Sequence, residues 1–190
     1  MIRVRGQTMI RHVTIRSALP RDAHAIATIY VDSWRADYRD ILPGAYLSSL
    51  SVDQMVHTVR RNLTDPRTFY LIAEGDRGAV GYLSAGPERG QDPVYTSEIY
   101  ELYLLPGNQR QGFGRELLAH AARRLYQAGY YTLLVWVLAR NPNRRFYEKC
   151  CGIYLRTKSI LHAGRRLQVN AYGWIDITLA FSQPDIDMPG

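Results

Sequence analysis

The stretch LYLLPGNQRQGFGRELL, Leu102 to Leu118, decides how the rest of the chain is read. An apolar run ends at Leu-Pro and a short polar loop follows. Phe113, Leu117, Leu118, Ala121, Ala122 and Leu125 then recur at the spacing of one helix face. The pattern is strand, loop, helix. Gly112 and Gly114 stand at the helix start, although glycine loses more conformational freedom on ordering than any other residue. A strand running into a helix N-terminus gathers free backbone N–H groups and the positive end of the helix dipole at one point, which suits an anion. Gln109, Arg110 and Arg115 add polar or cationic arms, and the glycines lack the Cβ atoms that would hold a phosphate away. The competing reading is a tight loop with a weak N-cap. GFGREL has Leu117 where a dinucleotide fingerprint requires Gly or Ala, and no GxxxxGK, GxSxG or HExxH occurs.

Outward from this stretch the elements alternate. HVTIRSA (12–18) reads as a strand, and LPRDAHAIATIYVDSWRADY as a helix with Pro near its start. ILPGAYL breaks that helix, and SVDQMVHTVRRNL restarts one with Ser51 and Gln54 at capping-box spacing. TFYLIAE and AVGYLSAG, joined by GDRG, form a hairpin, and VYTSEIYELYLLP is a long strand. After the central helix, Gly129 acts as its C-cap and YTLLVWVLA has the continuous apolar character of a central strand. NPNRRFYEKC is a short helix opened by Asn141 with Pro142 at its first position. IYLRTKSILHAG and RRLQVNAYGWIDI make a closing hairpin. The expectation is a single α/β domain over 9–180, with 1–8 a disordered leader ahead of a second start at Met9 and 181–190 a disordered polar tail.

Composition narrows the function classes. The chain has 190 residues, 46% of them hydrophobic, enough for one core burying about 70% of the unfolded surface. The longest apolar run, Tyr130 to Ala139, is shorter than the roughly 20 residues of a membrane span. No export signal is evident, so the expectation is a cytoplasmic protein without membrane association. Cys150 and Cys151 are adjacent and cannot close an ordinary disulfide loop, and the five histidines are scattered, so no metal is expected. The net charge of +7 admits an anionic partner, but the arginines come singly or in pairs without the motif or basic-aromatic clustering of a nucleic-acid binder.

LYLLPGNQRQGFGRELL resembles the acyl-CoA motif QxxGxG of the GNAT superfamily of N-acyltransferases, placed between the fourth strand and the central helix as in that family. RRFYEKCCG resembles the family's second signature, a short helix bearing a Tyr followed by Glu and a small turn. The resemblance covers the element order from about Met9 to Ile177. It implies a mixed sheet of about seven strands, splayed between the fourth and fifth, with helices on both faces. It also implies transfer of an acetyl group from acetyl-CoA to a primary amine by direct attack in a ternary complex. Leu102, Tyr103 and Leu104 would offer backbone groups to the pantetheine arm, and a free N–H near Leu104 would stabilise negative charge on the thioester oxygen. Gln109, Arg110, Gln111, Gly112, Phe113, Gly114 and Arg115 would hold the pyrophosphate. Asn141 is a further cofactor contact, one residue closer to the Tyr than the family pattern has it, and it could equally cap its helix.

By the same resemblance Tyr147 would protonate the departing thiolate and Glu98 would accept the amine's proton. Glu101 is the second candidate base and is expected on the opposite strand face from Glu98, because strand side chains alternate. The acceptor, a small-molecule or peptide amine, would lie against Trp34, Tyr38 and Tyr172, with Tyr46 and Trp174 nearby and Asp32 and Asp37 as carboxylates that would attract a cation. A non-catalytic acyl-CoA sensor is the alternative, one that could dispense with Glu98 and Tyr147. A homodimer is the commonest assembly for such a protein.

Overall fold

The computed structural model describes residues 13–181. The expected leader and the tail beyond Phe181 lie outside that range. Within it, seven strands form one sheet: β1 (Thr14–Ser17), β2 (Phe69–Gly75), β3 (Gly78–Pro87), β4 (Ser97–Leu104), β5 (Leu133–Leu138), β6 (Ile153–His162) and β7 (Arg165–Trp174). Their order is β1-β2-β3-β4-β5-β7-β6, with β4 and β5 parallel and the other neighbouring pairs antiparallel. The single mixed α/β domain matches the expected architecture.

Helices cover both faces. On one lie α1 (Ala23–Asp37) and α3 (Val52–Leu63), whose Ile26, Ile29, Val56 and Val59 pack on Tyr70, Ile72 and Tyr82. On the other lies α4 (Phe113–Gln127), whose stripe of Leu117, Leu118, Ala121, Ala122 and Leu125 is fully buried against Leu83, Ile99, Leu133 and Val135. That stripe is the one the sequence periodicity predicts. Ser51 caps α3 by accepting from the Gln54 N–H, and Gly129 terminates α4 at φ +88°.

Two short helices escaped the periodicity. ILPGAYL, read as a break, contains the start of α2 (Gly44–Ser49), and α6 (Ile177–Phe181) follows β7. Each is too short to show a helical repeat. Phe181, expected in the tail, instead ends α6 with its ring 5.7 Å from that of Trp174.

What positions the site is the parting of the two central strands. β4 pairs with β5 only at Ser97–Leu133, Glu98–Leu134 and Ile99–Val135. Beyond Ile99, β4 stays with β3 out to the pair Leu104–Gly81, while β5 stays with β7 out to Leu138–Val169. The strands therefore diverge toward their C-terminal ends. α5 (Arg145–Lys149) and the 3₁₀ turn Pro142–Arg144 lie in the connection after β5.

Candidate active site

The cleft between the diverging strands has a volume of about 1300 Å³. Leu102, Tyr103 and Leu104 line one side, Val135, Val137 and Leu138 the other, and Gln109, Arg110, Gly112, Gly114 and Arg115 its end. Strand backbone groups that have lost a neighbour are obligatory hydrogen-bonding groups, so this edge is prepared for an extended ligand.

The loop into α4 leaves a run of backbone N–H groups free. Arg110 has φ +59° and the N-cap Gly112 has φ +93°, so the backbone twice enters the left-handed region within three residues. Among the described residues, the N–H groups of Arg110, Gln111, Gly112, Phe113 and Gly114 have no hydrogen-bond partner, whereas Arg115 N–H donates to Gly112 O at 2.9 Å. Consecutive free N–H groups at a helix N-terminus form an anion nest. Two glutamine side chains brace it: Gln109 Nε2 donates to Leu104 O at 3.1 Å and Gln111 Nε2 to Gly107 O at 2.9 Å. Gln111 and Phe113 do not line the cleft, and Phe113, the first residue of α4, is buried.

The two glycines have different physical reasons. A Cβ on Gly112 would meet nothing within 4 Å, so its left-handed backbone is what requires glycine. A Cβ on Gly114 would lie 3.2 Å from Phe146 Cε2 and 3.4 Å from Leu104 Cδ1. Gly114 therefore admits a ring of the following connection against the helix start.

The carboxylates differ from expectation. The β3–β4 register passes from Ser84–Glu101 to Ala85–Ile99, so Tyr100 is an extra residue in β4. This bulge breaks the alternation, and Glu98 and Glu101 both line the same cleft, on one face and not on opposite faces. Glu98 is buried and engaged: Arg89 donates to it from Nη2 at 2.6 Å, Nε at 3.2 Å and its backbone N at 3.2 Å. Glu101 Oε2 accepts from Tyr82 Oη at 3.1 Å and Ser84 Oγ at 3.2 Å, while Oε1 has no partner among the described residues. Desolvation raises the Glu101 pKa above the usual carboxylate range.

Tyr147 on α5 is buried, and its ring stacks on Tyr172 at 5.9 Å and meets Phe146 edge-on at 5.2 Å. Its hydroxyl has no hydrogen-bond partner among the described residues, and the residue lines the cleft. Burial holds that phenol well above its ordinary pKa, so it is protonated at neutral pH. Tyr172 does not line the cleft; its hydroxyl donates to Glu148 Oε1 at 3.1 Å, making it a support for Tyr147. Asn141 Oδ1 accepts from Asn143 N at 2.7 Å and its Nδ2 donates to Tyr38 Oη at 3.1 Å, so the amide both caps the turn and orients Tyr38.

Trp34 and Tyr38 line the cleft, their rings meeting edge to face with centres 5.0 Å apart. Trp34 Nε1 donates to Tyr103 Oη at 2.8 Å. The tip of the β6–β7 hairpin reaches the same region, where His162 Nε2 lies 3.0 Å from Tyr46 Oη. Arg89, Tyr82, Ser84 and His162 had no signal of their own in the sequence. Tyr82 and Ser84 alternate in VGYLSAG, which marks a shared strand face but not the carboxylate they hold.

One cleft between parted parallel strands thus brings together an N–H nest, a carboxylate with one free oxygen and a buried tyrosine hydroxyl, and the family match identifies the chain as an acyl-CoA-dependent acetyltransferase. The profile of the Acetyltransferase (GNAT) family matches residues 23–153, and the chain belongs to that family. It is 37% identical over 168 residues to the uncharacterized N-acetyltransferase YuaI of Bacillus subtilis (strain 168), covering 87% of this chain and 95% of YuaI. An N-acetyltransferase structure from Staphylococcus aureus Mu50 superposes with a TM-score of 0.68 at 21% identity, over 87% of this chain and 99% of that one. The PaiA N-acetyltransferase of Thermoplasma acidophilum, solved in complex with coenzyme A, gives 0.63 at 18% identity, over 84% and 98%. Among the described residues no helix is long and apolar enough to cross a membrane, and no group of His, Cys, Asp and Glu could hold a metal ion.

Proposed function

We propose that the protein transfers the acetyl group of acetyl-CoA directly to a primary amine, both substrates being bound together. The observation that carries this reading is the continuity of one cleft from the free N–H groups of Arg110 to Gly114, along the unpaired edge of Leu102 to Leu104, to Glu101 and Tyr147. Acetyl-CoA supplies an activated acyl carbon and a thiolate leaving group. The nest and the Arg110 and Arg115 side chains are suited to its pyrophosphate, and the β4 edge to its amide-bearing arm.

In this reading Glu101 takes the proton lost by the amine as its nitrogen bonds to the acyl carbon. The Tyr147 hydroxyl gives its proton to the sulfur as the carbon–sulfur bond breaks. Glu101 replaces Glu98 as the proposed base because its Oε1 is open to the cleft and its raised pKa suits work near neutral pH. Glu98 instead fixes the 88–92 loop through Arg89. Asn141 and Tyr172 become positioning residues for Tyr38 and Tyr147.

Thermal unfolding with acetyl-CoA, followed by thiol release across a panel of amines, tests the reading. Ligand at 100 times its Kd stabilises by about 2.7 kcal/mol. A shift with acetyl-CoA and thiol release with at least one amine are expected. No shift overturns the assignment of the cleft, and a shift without release on any amine supports a sensor.

A further inference from the structure

Asp37 is an anomaly that the transfer reaction leaves unexplained. It is the last residue of α1, where the helix dipole disfavours a negative charge. Its carboxylate is half-buried and lines the cleft, yet among the described residues it has no hydrogen-bond or ion-pair partner. Two of the cations lining the same cleft already have partners. Arg89 is taken by Glu98, and the Lys158 Nζ sits 3.7 Å over the Trp136 ring. Arg110 and Arg115 belong to the nest, and Arg145 and Lys149 lie on or beside α5. The His162 ring nitrogen is directed to Tyr46. Burial raises the Asp37 pKa with no cation offsetting it.

Asp37 shares the lining of the cleft with the rings of Trp34, Tyr38 and His162. Trp34 stands one helical turn earlier, with Tyr38, His162 and Tyr46 rings at 5.0, 5.5 and 6.2 Å from it. An unpaired carboxylate beside aromatic rings is a cation site, the rings contributing through their negative faces. Asp32, the other acidic residue considered for this role, is exposed and does not line the cleft.

We infer that Asp37, with Trp34 and Tyr38, holds a second cationic group of the acceptor, so that the preferred acceptor is an amine carrying another positive charge beyond the one that reacts. The inference rests on the proposed transfer reaction and names its substrate class. One ammonium loses its proton and is acetylated beside Glu101; the other keeps its charge and anchors the molecule at Asp37. No residue changes its covalent state in the second role.

The test compares α,ω-diamines with amino alcohols of the same chain length as acceptors, by thiol release. A KM about tenfold lower for the diamine is expected from one charge-assisted contact with aromatic support. In Asp37→Asn that KM ratio falls toward one, while acetyl-CoA still raises the thermal midpoint, which shows the variant folded. The wild-type comparison stands without the variant. A second arm uses short peptides with a free N-terminus followed by lysine or by norleucine, and tells a basic peptide from a free diamine as the source of the cation. Equal KM values within both pairs in the wild type, with turnover intact, overturn the inference and leave the transfer reaction standing. No turnover with any amine overturns both, and no acetyl-CoA shift locates that failure at the donor site.

Discussion

Arg89 Nη2 lies 2.6 Å from Glu98 Oε1, whereas Glu101, on the same strand and the same cleft, receives only neutral hydroxyl donors at 3.1 and 3.2 Å. The two carboxylates are thereby assigned different work. Glu98 is paired with a guanidinium, and Glu101 is left desolvated with one free oxygen. Glu101→Gln is expected to lower kcat by about 10²- to 10⁴-fold, the usual range for a lost general base. Glu98→Gln is expected to have the smaller effect on kcat and to cost about 1–3 kcal/mol of stability, because a charge-assisted contact to a buried group is weakened. Thiol-release kinetics and denaturant unfolding of the two variants check both outcomes. The acid limb of kcat/KM in the parent is expected above the ordinary carboxylate range and is lost in Glu101→Gln.

The same residue predicts a pH dependence of stability with an unusual sign. Burial raises the folded-state pKa of Glu101 above its unfolded value, so the folded protein holds this proton more tightly. The contribution is fully present below the unfolded pKa and is lost as pH rises through the folded pKa. Glu101→Gln cannot ionise. It is therefore expected to be more stable than the parent at neutral pH, with the difference closing as the solution is acidified to below the ordinary carboxylate value. Urea midpoints of parent and variant across that range decide it; a gap that widens on acidification contradicts the assignment.

Tyr147 makes its case through what it lacks. Its ring is packed by Phe146, Tyr172 and Trp174, but its hydroxyl has no partner among the described residues. Removing that oxygen should leave packing intact, so Tyr147→Phe is expected to change stability by less than about 0.5 kcal/mol. As the proposed proton donor to sulfur, the hydroxyl should matter to kcat by about 10²-fold or more while the binding of acetyl-CoA is unchanged. Calorimetric binding together with steady-state kinetics separates these. A kcat within a factor of two of the parent removes Tyr147 from the mechanism.

How far these features could be read in the sequence depended on their range. The N–H nest was legible because it is local: a strand end, a loop, two glycines and a helix stripe lie within Leu102 to Leu118. The resemblance of that stretch and of RRFYEKCCG to a known family supplied the splay between the fourth and fifth strands. The carboxylate assignment was not legible, because it turns on the Tyr100 bulge, and a bulge exists only relative to the partner strand. The loop that brings Arg89 back onto Glu98 has no periodicity to reveal it. Asn141 looked like a helix cap or a cofactor contact, and only tertiary packing brings its amide to Tyr38. Asp37 was visible as a carboxylate, but its lack of a partner is a property of the folded chain alone.

The two glycines of the nest give the last prediction, since one is required by its backbone and the other by its neighbours. Gly112→Ala places a Cβ at φ +93° with nothing within 4 Å to clash, so its cost is the left-handed penalty of about 1–2 kcal/mol. Relief of that strain would turn the Gly112 and Phe113 N–H groups away from the nest, so acetyl-CoA affinity should fall along with stability. Gly114→Ala keeps an ordinary helical backbone but drives a methyl to 3.2 Å from the Phe146 ring, an overpacking cost of about 1–3 kcal/mol. Here relief is available by another route. Phe146→Leu removes the ring atoms that the new methyl meets, so the double variant Gly114→Ala, Phe146→Leu is expected to be less destabilised than the sum of its single changes. No such coupling is expected between Gly112→Ala and Phe146→Leu. Double-mutant cycles in urea measure both terms, and additivity at Gly114 would show that its role is at the ligand and not against Phe146.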